Sequence, residues 1–227
     1  MGCILKGGGG LYSRVAVGAV VLAAGAGTRI GGRPKSLLEL GGVPLIRRTL
    51  FALSGAGVDE VVVVLGHYAD QIRPMIEDFP VTIVVNPSPD DGQVSSQRLG
   101  LEALSGKLDL VVMALADQPL INTQDVVDLI GAWKKRPDGT EVLYPQVNGQ
   151  RGNPVLLSTH VKEQILTNGG NAGCRQWQEK HPELTFALAT ENRRYRIDID
   201  TEQDLSRFEQ DTGHKLLWPK TVTDAAC

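Results

Sequence analysis

Continuous apolar runs of strand length punctuate the chain: residues 17–23 (VGAVVLA), residues 61–65 (VVVVL) and the apolar centre of residues 108–119 (LDLVVMALADQP). Runs of this kind, rich in branched side chains, read as strands buried on both faces. Between them the period changes. Leu45, Ile46, Thr49, Leu50 and Leu53 recur at helical spacing up to Gly55 and Gly57, and residues 121–135 carry Val126, Val127, Leu129 and Ile130 behind Asn122 or Thr123 as cap. Residues 68–78 read as a helix interrupted early by Pro74, residues 81–85 as a strand, and Ser95-Ser96 as the start of a helix with Leu99, Leu101 and Leu104 on its inner side. Further strands are expected at residues 142–147, with a hairpin-like turn at Asn148-Gly149, then at 155–157, 183–190 and 194–200. Alternating strands and helices require a parallel sheet covered on both faces. The expected fold is therefore α/β: a single Rossmann-like three-layer α/β/α domain with a mainly parallel sheet over residues 15–213. Residues 1–14 are expected to be a flexible leader and residues 214–227 a loose tail.

Composition narrows the function. At 227 residues the chain has ample length for one α/β core. A net charge of −3 and a pI near 5.8 argue against a nucleic-acid partner, and no apolar run is long enough for a membrane span. Cys3, Cys174 and Cys227 form no CxxC pair and the four histidines show no ligand spacing, so a zinc or disulfide framework is not expected and the reducing cytoplasm is the expected compartment. Residues 1–13 lack the apolar segment of a signal peptide.

The first strand runs into Leu22-Ala23-Ala24-Gly25 and then a segment holding Gly27, Gly31 and Gly32 with Arg29, Arg33 and Lys35. Backbone N–H groups can converge on phosphate oxygens in such a loop, while the cations balance phosphate charge, Arg33 lying nearer the rim. A P-loop would need Lys after Gly31, where Gly32 stands. A dinucleotide fingerprint would need glycine at Ile30 and an acidic end to the next strand, which instead ends in Gly66-His67.

Carboxylates come from later segments. Asp117 stands at the carboxyl end of its strand, the side where open α/β sheets bind ligands, and a lone carboxylate beside polyphosphate suits Mg²⁺. Asp there is also a common turn former next to Pro119. Alternation in residues 194–200 puts Asp198 and Asp200 on one face, where they repel unless a cation lies near, so they are candidates for a second Mg²⁺ anchor. Asp200 could instead cap the helix that Thr201 and Asp204 announce.

The pattern Leu22-Ala23-Ala24-Gly25, Arg29, Gly31-Gly32, Pro34-Lys35 resembles the signature of the single-domain nucleotidyltransferases, specifically the molybdenum cofactor cytidylyltransferase family, with Ile30 where that family usually has Met. The resemblance continues through Gly92 and Ser96 in residues 92–101, through Asp117-Gln118-Pro119, and through residues 197–205 (IDIDTEQDL). It implies nucleotide contacts at Leu22, Ala23, Ala24, Gly25, Gly27, Arg29, Lys35, Gly92 and Ser96, although Ser95 or Asp91 could equally be a plain helix cap in that segment. It implies catalysis by Lys35, Arg29 and Asp117, and Mg²⁺ on Asp117 with Asp198 or Asp200. Arg151, Gly152, Asn153 and Pro154 stand where the family holds its acceptor. Asn153 replaces a histidine there, keeping a hydrogen-bond donor but losing a group that titrates near neutrality.

The implied reaction moves CMP, or another nucleoside monophosphate, from a nucleoside triphosphate to a phosphate-bearing acceptor. Molybdopterin is the implied acceptor, with handover to a molybdoenzyme or its chaperone. The alternatives are a sugar or polyol phosphate acceptor, an NAD(P)H-dependent reductase on the same scaffold, and a non-catalytic cofactor-binding chaperone.

Overall fold

In the computed structural model, which describes residues 14–167 and 172–220, the first apolar run becomes β1 (Val17–Ala23) at the centre of the sheet. A small hairpin follows, β2 (Glu39–Leu40) and β3 (Val43–Pro44), then α1 (Leu45–Gly55), β4 (Glu60–Leu65), α2 (Ala69–Ile72), β5 (Thr82–Val85), α3 (Gln93–Ala103) and β6 (Leu110–Leu115). The second half contributes α4 (Thr123–Lys134), β7 (Val142–Val147), β8 (Gln150–Arg151), β9 (Val155–Ser158), α5 (Thr159–Thr167), α6 (Cys174–Lys180), β10 (Thr185–Ala189), α7 (Glu202–Thr212) and β11 (Leu216–Leu217).

The main sheet runs β10-β7-β9-β6-β1-β4-β5, with β8 folded back on β7. It is mixed and mostly parallel: β9 alone runs against its neighbours β6 and β7 along this path. Strand pleating divides the core into two layers, since alternate side chains leave a strand on opposite faces. Ala19 and Val21 of β1 join α1 and α4 through Ile46, Leu50, Val126 and Leu129, whereas Val20 joins α3, α5 and α6 through Leu101, Val161, Ile165 and Trp177. The three-layer expectation holds.

Local chemistry fixes the helix starts. Asn122 caps α4 by accepting from the Asp125 N–H, while the Asp125 carboxylate accepts from the Asn122 N–H. Thr201 and Asp204 do the same for α7, so Asp200 is not the cap and its side chain is left for other partners. Such a cap contributes about 1 kcal/mol.

Several expectations change. Residues 194–200 are not a strand: Arg193–Arg196 forms a 3-10 turn, and residues 197–200 cross the end of β6, where the Ile199 N–H donates to the Asp117 carbonyl. The expected alternation survives without a sheet, because Ile197 and Ile199 still pack inward. Helix α3 starts at Gln93, earlier than Ser95-Ser96; Gly92 is its cap residue, and neither Ser95 nor Asp91 caps it. The segment read as loose tail is partly structured, since Leu216 and Leu217 pair with Leu40 and Glu39 in a second, three-stranded sheet. Residues 168–173 (NGGNAG) read from sequence as a loop facing the same cleft; residues 168–171 of it lie outside the described residues, as do residues 1–13, which hold most of the leader, and the chain end at 221–227. Among the described residues no helix is long and apolar enough to cross a membrane.

Candidate active site

The carboxyl ends of β1, β4 and β6 open into one cavity of about 440 Å³. Strand β1 delivers Leu22, Ala23, Ala24 and Gly25 to its wall, and the following loop delivers Arg29 and Lys35. Gly92 and Ser96 enter from the start of α3, Asp117 from beyond β6, and Asp198 and Asp200 from the crossing segment. Residues nearly 180 positions apart in sequence therefore line one hollow, as the order of strands requires when ligands bind at the carboxyl edge.

The loop is shaped by Gly27. At φ 59° its carbonyl accepts from the N–H groups of both Ile30 and Gly32, and a Cβ there would fall 2.1 Å from the Arg33 carbonyl oxygen. Only glycine fits that fold-back. Gly27 itself shapes the loop without lining the cavity. At the other wall Gly66 lets β4's end approach Ala24; a Cβ on it would lie 2.6 Å from the Ala24 carbonyl oxygen.

The three loop cations part company. The Lys35 ammonium donates to Asp117 Oδ2 at 2.6 Å and Asp200 Oδ1 at 2.5 Å, and Arg29 donates to Asp200 Oδ2 at 2.8 Å. Arg33 turns away from the cavity to Glu202, at 2.8 Å, and to the ring of Trp218. The expectation that all three cations face phosphate is corrected accordingly. Its rim position is the reason: beyond the fold at Gly27, the side chain of residue 33 leaves on the outer side of the loop.

Charge in the cavity is unevenly balanced. Burial works against the charge on Lys35, but Asp117 and Asp200 outweigh it and its pKa is raised. Burial would raise the Asp200 carboxyl, yet Lys35 and Arg29 hold it below its ordinary value. Asp198 is the reverse case: crowding by the protein, then repulsion from Asp117 and Asp200, pushes its carboxyl up. Asp117 Oδ1 is buried and accepts no hydrogen bond. An orphaned carboxylate oxygen beside a second carboxylate that resists ionisation is a place short of positive charge.

These residues fit a divalent cation held jointly with a ligand. Among the described residues no three His, Cys, Asp or Glu side chains converge as a full ligand set. Mg²⁺ needs no such set, because it keeps waters and takes one or two carboxylates plus phosphate oxygens. Asp117 and Asp198 are the better pair, both Asp200 oxygens being engaged by Lys35 and Arg29.

Eight of the nine nucleotide-side candidates line the cavity, Gly27 being the exception. Ser96 is 3% exposed and its hydroxyl accepts from Asn86 Nδ2, which leaves its own hydrogen for a ligand. Sequence reasoning missed Tyr68, whose ring lines the cavity and whose hydroxyl donates to the Ala26 carbonyl, tying the far wall to the loop. Its signal was its place just after β4, at the same carboxyl edge.

The acceptor candidates do not line this cavity. Gly152 donates to the Pro145 carbonyl and Asn153 to the Tyr195 carbonyl, ahead of a cis peptide to Pro154, and the Arg151 guanidinium lies 5.1 Å from the Tyr144 ring centre. They lie next along the sheet, on the site's side, since β9 starts opposite Met113 near the end of β6. Gln118, 2% exposed, donates to the same Tyr195 carbonyl and links the two places.

A mostly parallel α/β sheet whose glycine loop, lysine and carboxylates meet at the carboxyl edge defines a nucleotide-binding protein of the phosphate-handling kind. Comparison with known proteins agrees. Residues 19–184 match the family described as MobA-like NTP transferase domain, and the chain belongs to that family. It is 29% identical over 195 residues to nicotine blue oxidoreductase of Paenarthrobacter nicotinovorans, spanning 83% of this chain and 94% of that protein. It is 32% identical over 147 residues to the bifunctional protein GlmU of Mycobacterium ulcerans, spanning 62% of this chain and 30% of that longer protein. Among solved structures, Rv0371c from Mycobacterium tuberculosis H37Rv superposes with a TM-score of 0.72 at 25% identity, over 87% of this chain and 100% of that one. A structure of Rv0371c in complex with manganese superposes with a TM-score of 0.69 at 23% identity, over 87% and 100% of the two chains. The family match supports nucleotidyltransferase activity.

Proposed function

We propose that the protein transfers a nucleoside monophosphate, with CMP favoured, from a nucleoside triphosphate to a phosphate-bearing acceptor, and that the acceptor is molybdopterin. The observation that carries the reading is Lys35, held between Asp117 and Asp200 at the mouth of a glycine loop, beside the unpartnered Asp117 Oδ1.

In this reading the triphosphate lies along the loop with Lys35 and Arg29 against its oxygens. An oxygen of the acceptor phosphate bonds to the α-phosphorus, the bond from that phosphorus to the α,β-bridging oxygen breaks, and pyrophosphate leaves with the electron pair. The chain supplies positioning and charge neutralisation, which is most of what phosphoryl chemistry needs. A divalent cation on Asp117 and Asp198 would neutralise and orient the phosphates, consistent with the manganese complex of the structural relative. Arg151, whose pKa burial lowers and whose guanidinium lies over the Tyr144 ring, would meet an anionic group of the acceptor.

Base choice rests on Ala24. It is 8% exposed and lines the cavity, where its methyl group would narrow the wall against a purine, a shape difference worth about 1–3 kcal/mol. The hydroxyl hydrogen of Ser96 would meet a base carbonyl.

A second reading, reduction of a substrate on this scaffold, has the likeness to nicotine blue oxidoreductase in its favour. Hydride transfer gives no role to a lysine held between two carboxylates, so nucleotidyl transfer is preferred. Pyrophosphate release should be followed with CTP, GTP, UTP and ATP against molybdopterin, a sugar phosphate and a polyol phosphate, with NADPH oxidation measured in parallel. Release with CTP and molybdopterin supports the proposal. Release only with another acceptor reassigns the substrate, NADPH oxidation alone favours the reductase, and nucleotide binding without turnover favours a binding module.

A further inference from the structure

The part of the chain beyond the matched residues 19–184 does more than add carboxylates to the cavity. Beneath the phosphate loop, Ile30 is fully buried in a cluster with Ile199, Phe208 and Leu216, and Leu205 and Trp218 pack at its edge. The strand pair between Leu216 and Leu40 closes this platform below the loop. On the loop's outer side, the Arg33 guanidinium donates to Glu202 Oε1 at 2.8 Å and stacks 4.1 Å from the centre of the Trp218 ring. Arg33 is also the residue whose carbonyl packs against Gly27 at the loop's fold. One residue thus joins the turn that shapes the phosphate site to two side chains of the C-terminal segment.

We infer that Glu202 and Trp218 are positioning residues for the nucleotide site, acting through Arg33. They draw its charge out of the cavity and clamp the loop in the shape that presents Lys35 and Arg29. The nucleotide part of this inference rests on the triphosphate reading proposed above, whereas the clamp on the loop does not. Geometry favours both contacts at once: a guanidinium is planar, so one edge can donate to a carboxylate while its face lies on an indole. Because the loop backbone must meet phosphate oxygens, a loop that wanders loses affinity without losing any ligand contact by deletion.

Amide hydrogen exchange of residues 25–35 in the free, full-length protein tests the clamp, and titration with CTP and Mg²⁺ tests its consequence. Trp218→Ala and Glu202→Gln should each speed exchange in the loop and weaken CTP binding about two- to fivefold. Trp218→Phe, which keeps an aromatic face, should restore most of both. In the Arg33→Ala background, Glu202→Gln should add almost nothing, because its effect passes through Arg33. Loop exchange unchanged in Trp218→Ala, or additive losses in the double variant, would overturn the inference. Faster loop exchange in a protein whose wild type binds no triphosphate would leave the clamp standing and remove the nucleotide reading instead.

Discussion

The Lys35 ammonium lies 2.6 Å from the carboxylate of Asp117, a residue 82 positions further along the chain. Neither partner reaches the other by accident: the loop after β1 and the end of β6 are adjacent because β1 and β6 pair in parallel. In the proposed reaction Lys35 exchanges this carboxylate for phosphate oxygen. Lys35→Ala should cut the rate by about 10² to 10³, the usual cost of deleting one charge-stabilising donor. Steady-state pyrophosphate release gives the number. Arg29, with a side chain 68% exposed, is screened by water, and its alanine variant should lose far less.

Asp198 should show a trade between stability and function. Its pKa is raised above the ordinary 3.8, so the folded state holds its proton more tightly than the unfolded chain does, and stability is lost as the pH rises from 3.8 through the folded value, the loss being complete above it. Asp198→Asn should therefore raise the melting temperature at neutral pH, with a gain that vanishes in acid below about pH 4 where the wild-type group is protonated in both states. The same variant should lose the stabilisation that Mg²⁺ or Mn²⁺ gives with triphosphate. For Asp200 the sign is opposite: lowered below 3.8, it stabilises above that pH, and its contribution disappears as the pH falls through the folded value. Thermal melts across pH check both.

Much of this was legible in the sequence, for a definite reason. Buried parallel strands must be apolar throughout, so β1, β4 and β6 announce themselves, and the residues just past the end of each strand fall at the ligand edge. Asp117 and the loop residues are found in that way, while Asp198 and Asp200 are found by spacing even though their segment is not a strand. Period-two alternation reports sidedness, and an extended segment crossing a strand end has sidedness without a ladder. The destination of Arg33 was hidden because it depends on Trp218, in a stretch with no periodic pattern. Hairpin β2-β3 and strand β11 are two residues long per strand, too short for any repeat to register.

A buried ion pair holds the segment that carries the site's second acidic group. Asp125, with no exposed side-chain surface, accepts from Arg194 and from Asn192, and the Tyr195 hydroxyl donates to its carbonyl. Asp125→Ala should cost on the order of 3 kcal/mol, near the low end for a broken buried pair because Arg194 is 42% exposed. For a domain of this size that is roughly 6–12 °C in melting temperature by calorimetry.

Arg151 should separate the two substrates kinetically. It lies outside the nucleotide cavity, so Arg151→Ala should raise the KM for the acceptor about tenfold or more while leaving nucleotide binding within about twofold. A matched loss of nucleotide affinity would place it elsewhere in the mechanism.

Calorimetric titration of the wild-type protein with CTP, in the presence and absence of Mg²⁺, bears most directly on the claim that loop, lysine and carboxylates form one triphosphate site. The account predicts saturable binding that strengthens with the metal, falls by at least about tenfold in Lys35→Ala, and loses its metal dependence in Asp117→Asn. Binding that ignores the metal and survives both substitutions, or no binding of any of the four triphosphates, would contradict it.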